Sequence, residues 1–508
     1  MKAVVIGSGL SGLVTAAYLA QAGHEVTVYE QNKKIGGAAS ETHKDGYSWD
    51  NGPLNIEGLY PGELAGTVID ELGIRDSINL IPAERVISFT KFTLHKPENY
   101  GGEYWRRDLL KEHFPKDAAG IDEYYKLYDR MILLSTIGKK GEVAHGLEKI
   151  WWNLRLLLAF LPIKKMKNWT AKDVLDHYFS DATLKAVFSG ILADFVTKPS
   201  EFPGLGIPFI NLETSYESRL PVKRKNGGVQ PRYCYVDGGI EKLSQAIADA
   251  VTEAGGKIVT GMAVKQVVLE GETATGVVLA DGTNVEADVV VASGGGRESI
   301  IKLIGRKKLM PNYVNAIESQ QLMESILMVH LGVEMDTHAY QSDPLVYYYL
   351  STDVEGAVDR ARKGIFHEGK DGFLVFIPSY FTPKMAPKGC QAVTVYTIAP
   401  DKLAKGSWEK DGARLAEKML DEAEKIIPGL RSHTKTRVDL TPVDFRKMTH
   451  LDKHAFGGRA PIIGKNGIPI KTPIEGFYFV GAQGESGGGV GSVIAGGRKA
   501  ARMIMDMH

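Results

Sequence analysis

The loop Gly7-Ser8-Gly9-Leu10-Ser11-Gly12 stands between a β-branched run, Lys2–Ile6, and a stretch with Leu13, Ala16, Ala17 and Leu19 at helical spacing. Residue types in this order suit the holding of a pyrophosphate. Gly7 makes the tight turn, Gly9 lets a phosphate approach the backbone, and Gly12 lets helix and strand pack closely. The helix N-terminus that begins after the loop presents free backbone N–H groups to an anion. Gly23 ends the helix, a second strand follows from Glu25, and Glu30 closes that strand. An acid at this distance from the loop accepts hydrogen bonds from a ribose 2′-hydroxyl, and its charge disfavours a 2′-phosphate. A GxGxxG string alone is common. With a strand before it, a helix after it and the acid in place, it reads as a dinucleotide fingerprint.

The rest of the chain must position that loop. At 508 residues it has room for about three domain-sized units. Its 44% hydrophobic and 24% charged residues exclude wholesale disorder and fibrous repeats. Lys+Arg and Asp+Glu both number 61, so no basic excess points to nucleic acid as a partner. Cys234 and Cys390 are the only cysteines, which argues against a disulfide framework or a clustered-cysteine metal site; no metal is expected. No window reaches 18 uninterrupted apolar residues, and no cleavage site follows the first apolar run. The expectation is a cytoplasmic chain without a spanning helix.

Past Val236-Asp237-Gly238-Gly239 a helix is expected with Leu243, Ile247 and Val251 on one face, ended by Gly255-Gly256. Strands are expected over 257–260, 263–269 and 276–279, then an Asp281-Gly282 hairpin turn and a strand over 287–292. Farther on, 346–349 is an aromatic strand, 371–379 a strand ending in Pro378-Ser379, and 392–398 another. Tyr347, Tyr348 and Tyr349 either face an apolar ligand or pack a core. Near the end, 476–482 is a strand running into a glycine turn. Glu485-Ser486-Gly487-Gly488-Gly489-Val490-Gly491 follows, then a helix of small residues through Ala495, Gly496, Gly497, Ala500 and Ala501. This second glycine turn also offers backbone N–H groups, here to an electron-rich ligand edge.

The first motif extends further. The string GxGxxGxxxAxxLxxxGxxVxxxExxxxxGG is met at Gly7, Gly9, Gly12, Ala16, Leu19, Gly23, Val26, Glu30, Gly36 and Gly37, and resembles the two-dinucleotide-binding motif of FAD proteins. Residues 46–53, Gly-Tyr-Ser-Trp-Asp-Asn-Gly-Pro, are similar to a G-aromatic-x-aromatic-D-x-G-P pattern. With Pro378-Ser379, Ala386-Pro387-Lys388-Gly389 and 476–501, these stretches resemble the phytoene desaturase-like family of FAD-dependent oxidoreductases, which includes carotenoid desaturases, carotenoid isomerases and retinol saturase relatives. The likeness runs the length of the chain and is specific for the family, less so for the substrate. Two positions depart from it: Ala38 stands where many desaturases have Arg, and Ser486 where Pro precedes the triple glycine.

The resemblance implies FAD and an α/β fold. Residues 1–90, 225–305 and 440–508 would form a discontinuous Rossmann-type FAD-binding domain. Residues 91–224 and 306–439 would form an α+β substrate domain with a mixed or antiparallel sheet and a helical, membrane-facing part. The residues implied against FAD are Gly7, Gly9, Leu10, Ser11, Gly12, Glu30, Gly36, Gly37, Ala38, Ser40, Gly52, Pro53, Val264, Gly294, Gly481, Ala482, Gly488, Gly489 and Val490. Val264, with Val267, would pack near the adenine.

Residues 149–169 read KIWWNLRLLLAFLPIKKMKNW, an apolar run with tryptophans and cationic flanks. At 14 residues, 150–163 is too short to span a bilayer, but tryptophan beside cations suits the interface. The alternative is a buried core helix of the substrate domain. An interfacial helix suits an enzyme drawing a hydrophobic polyene or lipid from the membrane, and would place the chain peripherally at its inner face.

A flavin beside a polyene serves a desaturase, a saturase or a cis-trans isomerase, and the protein's share is to hold and tune it. Glu485 is the first candidate for proton handling or flavin-site support, or else an exposed loop acid. His454, on the 453–458 glycine turn, is the second, or else structural. Two other readings stand beside this one: a fatty-acid double-bond isomerase, saturase or amine oxidase-like enzyme, and a non-catalytic flavin-fold lipid binder. The oligomeric state is left open.

Overall fold

The computed structural model describes residues 1–90, 92–100, 104–454 and 457–507. Lys2–Ile6 is the centre of a five-stranded, all-parallel sheet. The order is Lys257–Thr260, Glu25–Glu30, Lys2–Ile6, Val289–Ser293, Phe477–Val480. In chain order this is 3-2-1-4-5, the doubly wound arrangement. Val4, Val5 and the run from Val289 to Ala292 are at most 2% exposed, as strands covered on both faces must be. The chain leaves the first strand toward one side and later returns on the other. That reversal opens a crevice at the carboxyl ends of Lys2–Ile6 and Val289–Ser293, where the first glycine loop lies.

Helix Leu10–Gln21 covers this sheet between helices Ile240–Glu253 and Val490–Met505. The small residues of the last helix have a packing reason. A Cβ on Gly497 would fall 2.6 Å from the Ser11 carbonyl oxygen, and Thr15 Oγ1 donates to the Gly497 carbonyl across the same contact. Between the third and fourth parallel strands the chain makes an antiparallel meander of Val264–Glu270, Thr273–Leu279 and Asn284–Glu286. The fourth strand starts two residues later than the sequence suggests.

A second, seven-stranded sheet has the order Thr434–Leu440, Ser325–Val333, Gln391–Ala399, Gly372–Phe376, Leu345–Tyr349, Val86–Phe89, Phe92–Leu94. It is mixed, antiparallel except where Val86–Phe89 runs parallel to Leu345–Tyr349. The strand expected over 371–379 ends at Phe376, because Pro378 has no N–H to continue the ladder and a 3₁₀ turn takes over. Alternation along Leu345–Tyr349 divides the three tyrosines. Tyr348 packs with Phe373, Val375 and Trp408 on one face, while Tyr347 and Tyr349 belong to clusters on the other. Helices Trp105–His113, Ala118–Val143, Ala171–Tyr178 and Ala182–Ser189 cover that second face.

The segment 149–169 forms helix Gly146–Phe160 followed by the 3₁₀ turn Leu161–Met166, the change of geometry falling at Pro162. No side chain of Gly146–Phe160 is buried, so the core-helix alternative does not hold. Leu156, Ala159 and Phe160 rest on Leu127, Met131 and Leu134, and the opposite side faces out. Among the described residues no helix is long and apolar enough to cross a membrane.

Candidate active site

The crevice is built from backbone. Gly7 has φ +92° and donates its N–H to the Tyr29 carbonyl at 2.8 Å. A Cβ there would lie 2.7 Å from the Ser293 carbonyl oxygen. One on Gly12 would lie 2.5 Å from the Gly7 carbonyl oxygen and 2.9 Å from Ser293 Cβ. The glycines thus let three chain segments meet at van der Waals distance, and Ser11 and Ser293 join their hydroxyls at 3.2 Å. The helix that starts at Leu10 has no side-chain cap and no acid in its first turn, so its first N–H donors are left for a ligand.

Glu30 closes the crevice at the end of the second strand. Its Oε2 accepts from the Ser8 N–H at 2.9 Å and the Ser8 hydroxyl at 2.7 Å, and its Oε1 accepts from the Asn32 N–H at 2.8 Å. A carboxylate has about four acceptor positions, so Oε1 keeps one free. Val264 packs beside Ile6, Tyr29 and Met262 on the cluster that includes Val267. The Gly36 N–H donates to the Ser8 carbonyl at 3.0 Å, and a Cβ on Gly37 would sit 3.6 Å from Gly9 Cα, so the glycine pair returns to the first loop.

From there the wall continues through Ala38 and Ser40. A Cβ on Gly52 would meet the Ala38 carbonyl oxygen at 2.2 Å, which ties Gly52-Pro53 to the same turn. The Ser40 hydroxyl donates to Met448 Sδ at 3.5 Å and accepts from Asn51 Nδ2 at 3.3 Å. Asn51 Oδ1 in turn accepts from Thr42 Oγ1 and from His330 Nε2 at 3.1 Å, while His330 Nδ1 meets Thr394 Oγ1 at 2.9 Å. Burial lowers the His330 pKa to about 3, so the ring is neutral. This chain of hydrogen bonds links the centre of the seven-stranded sheet to the turn at Ala38 and Ser40.

On the opposite wall, Gly294 and Gly481 touch. A Cβ on Gly481 would sit 3.1 Å from the Gly294 carbonyl oxygen. Gly488 and Gly489 lie exposed at the start of Val490–Met505, which has no side-chain cap and no acid in its first turn. A Cβ on Gly489 would project into open space, and one on Gly488 would come within 4.0 Å of Ala482 Cβ only. That is the form of a cradle for a ligand edge. Val490 is buried beneath it. Ser486, in place of the family's proline, tucks its hydroxyl against Gly496, where a Cβ would lie 2.6 Å away.

Asp50 and Glu41 have a separate task. Asp50, fully buried, accepts from the Ile240 N–H at 2.8 Å and the Tyr235 hydroxyl at 2.7 Å, and Glu41 accepts from the Glu241 N–H at 3.1 Å. Together they hold the N-terminus of Ile240–Glu253. Desolvation raises Asp50 to about 6. Desolvation and the neighbouring Asp50 raise Glu41 to about 8. Glu41, His43 and Glu241 also bring one ligand atom each within 4.8 Å of one another at this helix end.

The two catalytic candidates lie differently. Glu485 is exposed, pairs with Lys499 at 2.6 Å and accepts from the Ile470 N–H at 3.4 Å. His454 is 1% exposed, stacks on Phe445 at 4.8 Å, and is lowered to about 3 by burial. Ala455 and Phe456 of its turn lie outside the described residues. Sequence reasoning missed Ser293, Asn51, His330 and Met448. Asn51 stands inside the 46–53 pattern and Ser293 directly precedes Gly294, so both had a signal; His330 and Met448 had none.

Residues 10–505 match the family of flavin containing amine oxidoreductases, and the chain belongs to it. It is an FAD-dependent oxidoreductase, and the uncapped helix ends, Glu30 and the open glycine cradle fit that cofactor. Among curated relatives, a 4,4'-diapolycopen-4-al dehydrogenase of Metabacillus indicus is 24% identical over 523 residues, covering 100% of this chain and 98% of its own. A chloroplastic prolycopene isomerase of Daucus carota is 24% identical, covering 99% and 79%. Among solved structures, an oxidoreductase from Methanosarcina mazei shares the fold with a TM-score of 0.63 at 19% identity, covering 100% of both chains.

Proposed function

We propose that this oxidoreductase acts on carbon–carbon bonds of a hydrophobic polyene of the carotenoid or isoprenoid class, as a desaturase or a cis-trans isomerase. The observation that carries the substrate class is the likeness to relatives named for polyenes, which spans this chain end to end. Bound FAD would supply hydride acceptance or donation. The chain's own part is to hold it: the helix start after Gly9 for the pyrophosphate, Glu30 for the ribose, Val264 beside the adenine, and Gly488-Gly489 for the ring edge. Ser40, Asn51, His330 and Thr394 are positioning residues for the turn at Ala38. We assign Glu485 to support of this site, since its salt bridge to Lys499 and its bond from Ile470 tie the glycine loop to the last helix. His454 serves the packing behind it.

In this reading, segments 1–90, 225–305 and 440–508 form the FAD-binding half, and 91–224 and 306–439 the substrate half. Membership of the five-stranded sheet supports the first, and most strands of the seven-stranded sheet support the second. The helix Gly146–Phe160 docks the molecule on a membrane surface from which the polyene is drawn. Val143, Leu147, Ile150, Trp151, Leu154, Leu157, Leu158 and Leu161 are all at least 49% exposed. Arg155 lies over the rings of both Trp151 and Trp152, as cations beside interfacial tryptophans do.

The test is incubation of flavin-loaded enzyme with phytoene, prolycopene and oleate in separate liposomes, with product mass and isomer composition read for each. Conversion of either carotenoid and not of oleate supports the reading. Conversion of oleate alone replaces it.

A further inference from the structure

Between the seven-stranded sheet and the helices lies a cavity swept by the centre of a water-sized sphere over about 70 Å³. That is room for several waters or one small head group, not for a whole polyene. Its walls are mostly apolar and aromatic: Phe89, Leu374, Tyr347, Tyr349 and Tyr396 from the sheet, with Ala186 and Gly190 from the helical side. Close packing shapes it, since a Cβ on Gly190 would press to 2.9 Å on the Tyr349 ring.

Four titratable groups on this wall carry or can carry charge: Asp194, Asp353, His367 and Asp371. Three are engaged. Asp353 caps the helix Val354–Arg362 and pairs with Arg360, Asp371 pairs with the same Arg360, and His367 bonds Thr397 and the Asp371 N–H. The fourth, Asp194, has no hydrogen-bond or ion-pair partner for its carboxylate among the described residues. It keeps only part of its surface, which faces the cavity it lines. Arg85 acts on Asp194 through space without a hydrogen bond; its Nη2 donates to the Ile210 carbonyl and its guanidinium lies over the Tyr216 and Tyr347 rings, while its Nε is left without a partner.

A carboxylate left without a donor in an apolar pocket is costly unless it takes up a proton or a ligand supplies the donor. We infer that this cavity is a binding site, apart from the dinucleotide crevice, for a small ligand or head group that donates a hydrogen bond, an ammonium or a hydroxyl, held by Asp194 among the tyrosine rings. Burial raises Asp194 to about 7, so above that pH it is charged and repels a carboxylate head, while the aromatic faces favour an ammonium further. The inference does not depend on the proposed function, because phytoene and prolycopene are hydrocarbons with no donor to offer Asp194. The head-group preference itself is independent of turnover.

The experiment is calorimetric titration of the FAD-loaded protein with four probes of one length: hexylamine, 1-hexanol, 1-methoxyhexane and hexanoate. The expected result is that a donor-bearing probe, amine or alcohol, binds roughly tenfold more tightly than the ether and hexanoate. Asp194→Asn keeps an acceptor but loses the charge. It weakens the amine by about tenfold and the alcohol by less than about threefold, which tells the two sources apart. Asp194→Leu removes both preferences. Equal binding of alcohol, amine and ether by the native protein overturns the inference, as does a donor preference that survives Asp194→Leu. If the preference holds and no polyene is converted, the proposed function fails and the head-group site stands.

Discussion

Glu30 accepts three hydrogen bonds, two from Ser8 of the loop it faces and one from the Asn32 N–H two residues farther on. Replacing it with Ala removes the ribose acceptor and leaves the Ser8 and Asn32 donors unpaired. Glu30→Ala is expected to weaken FAD binding by roughly tenfold to a hundredfold, read by titration of apoprotein with FAD and quenching of flavin fluorescence. Gly12→Ala acts differently. Its methyl group would meet backbone at 2.5 Å, so loss of folded protein on thermal unfolding is expected together with loss of FAD. At this scale the sequence was most legible where backbone geometry demands glycine. It was mute on His330, which sits in the middle of the strand Ser325–Val333. Its task depends on strands and loops that only folding brings beside it.

Among the elements, the helix Ile240–Glu253 rests on two acids whose pKa values are raised to about 6 for Asp50 and about 8 for Glu41. Both bind their proton more tightly when folded than when unfolded, where such acids titrate near 4. Their contribution is therefore most favourable at low pH and declines as pH rises from about 4 to about 8. His330 and His454, lowered to about 3, act with the opposite sign and lose stability for the fold as pH falls below about 6.5. The window from pH 6.5 to 8 reports on Glu41 together with Asp194, which burial raises to about 7. Urea unfolding across it should show falling stability, and Glu41→Gln should flatten the fall. The helix Gly146–Phe160 carries a second expectation. Replacing Trp151, Leu154 and Leu158 with Ser should abolish flotation with anionic vesicles and leave FAD binding unchanged, because none of the three is buried. The amphipathic run was legible from its tryptophans and cations. What separated surface from core was packing on Leu127, Met131 and Leu134, which no local pattern encodes.

For the whole molecule, two sheets assembled from interleaved segments put a dinucleotide crevice at the strand reversal and an aromatic cavity against the second sheet. The parallel sheet could be read ahead because each βα unit carries its own turn signals and apolar runs. The seven-stranded sheet could be read only in part, since Val86–Phe89 joins it by pairing with Leu345–Tyr349, far along the chain. The central claim is that this crevice serves polyene chemistry. Its most direct test is anaerobic mixing of flavin-loaded enzyme with phytoene in liposomes, following flavin absorbance and product mass in the same sample. The flavin band is expected to bleach as a product lighter by two hydrogens forms, or, with prolycopene, an isomer of unchanged mass is expected once the flavin has been reduced. An unchanged spectrum with both carotenoids, no new product, and bleaching by hexylamine instead would contradict it.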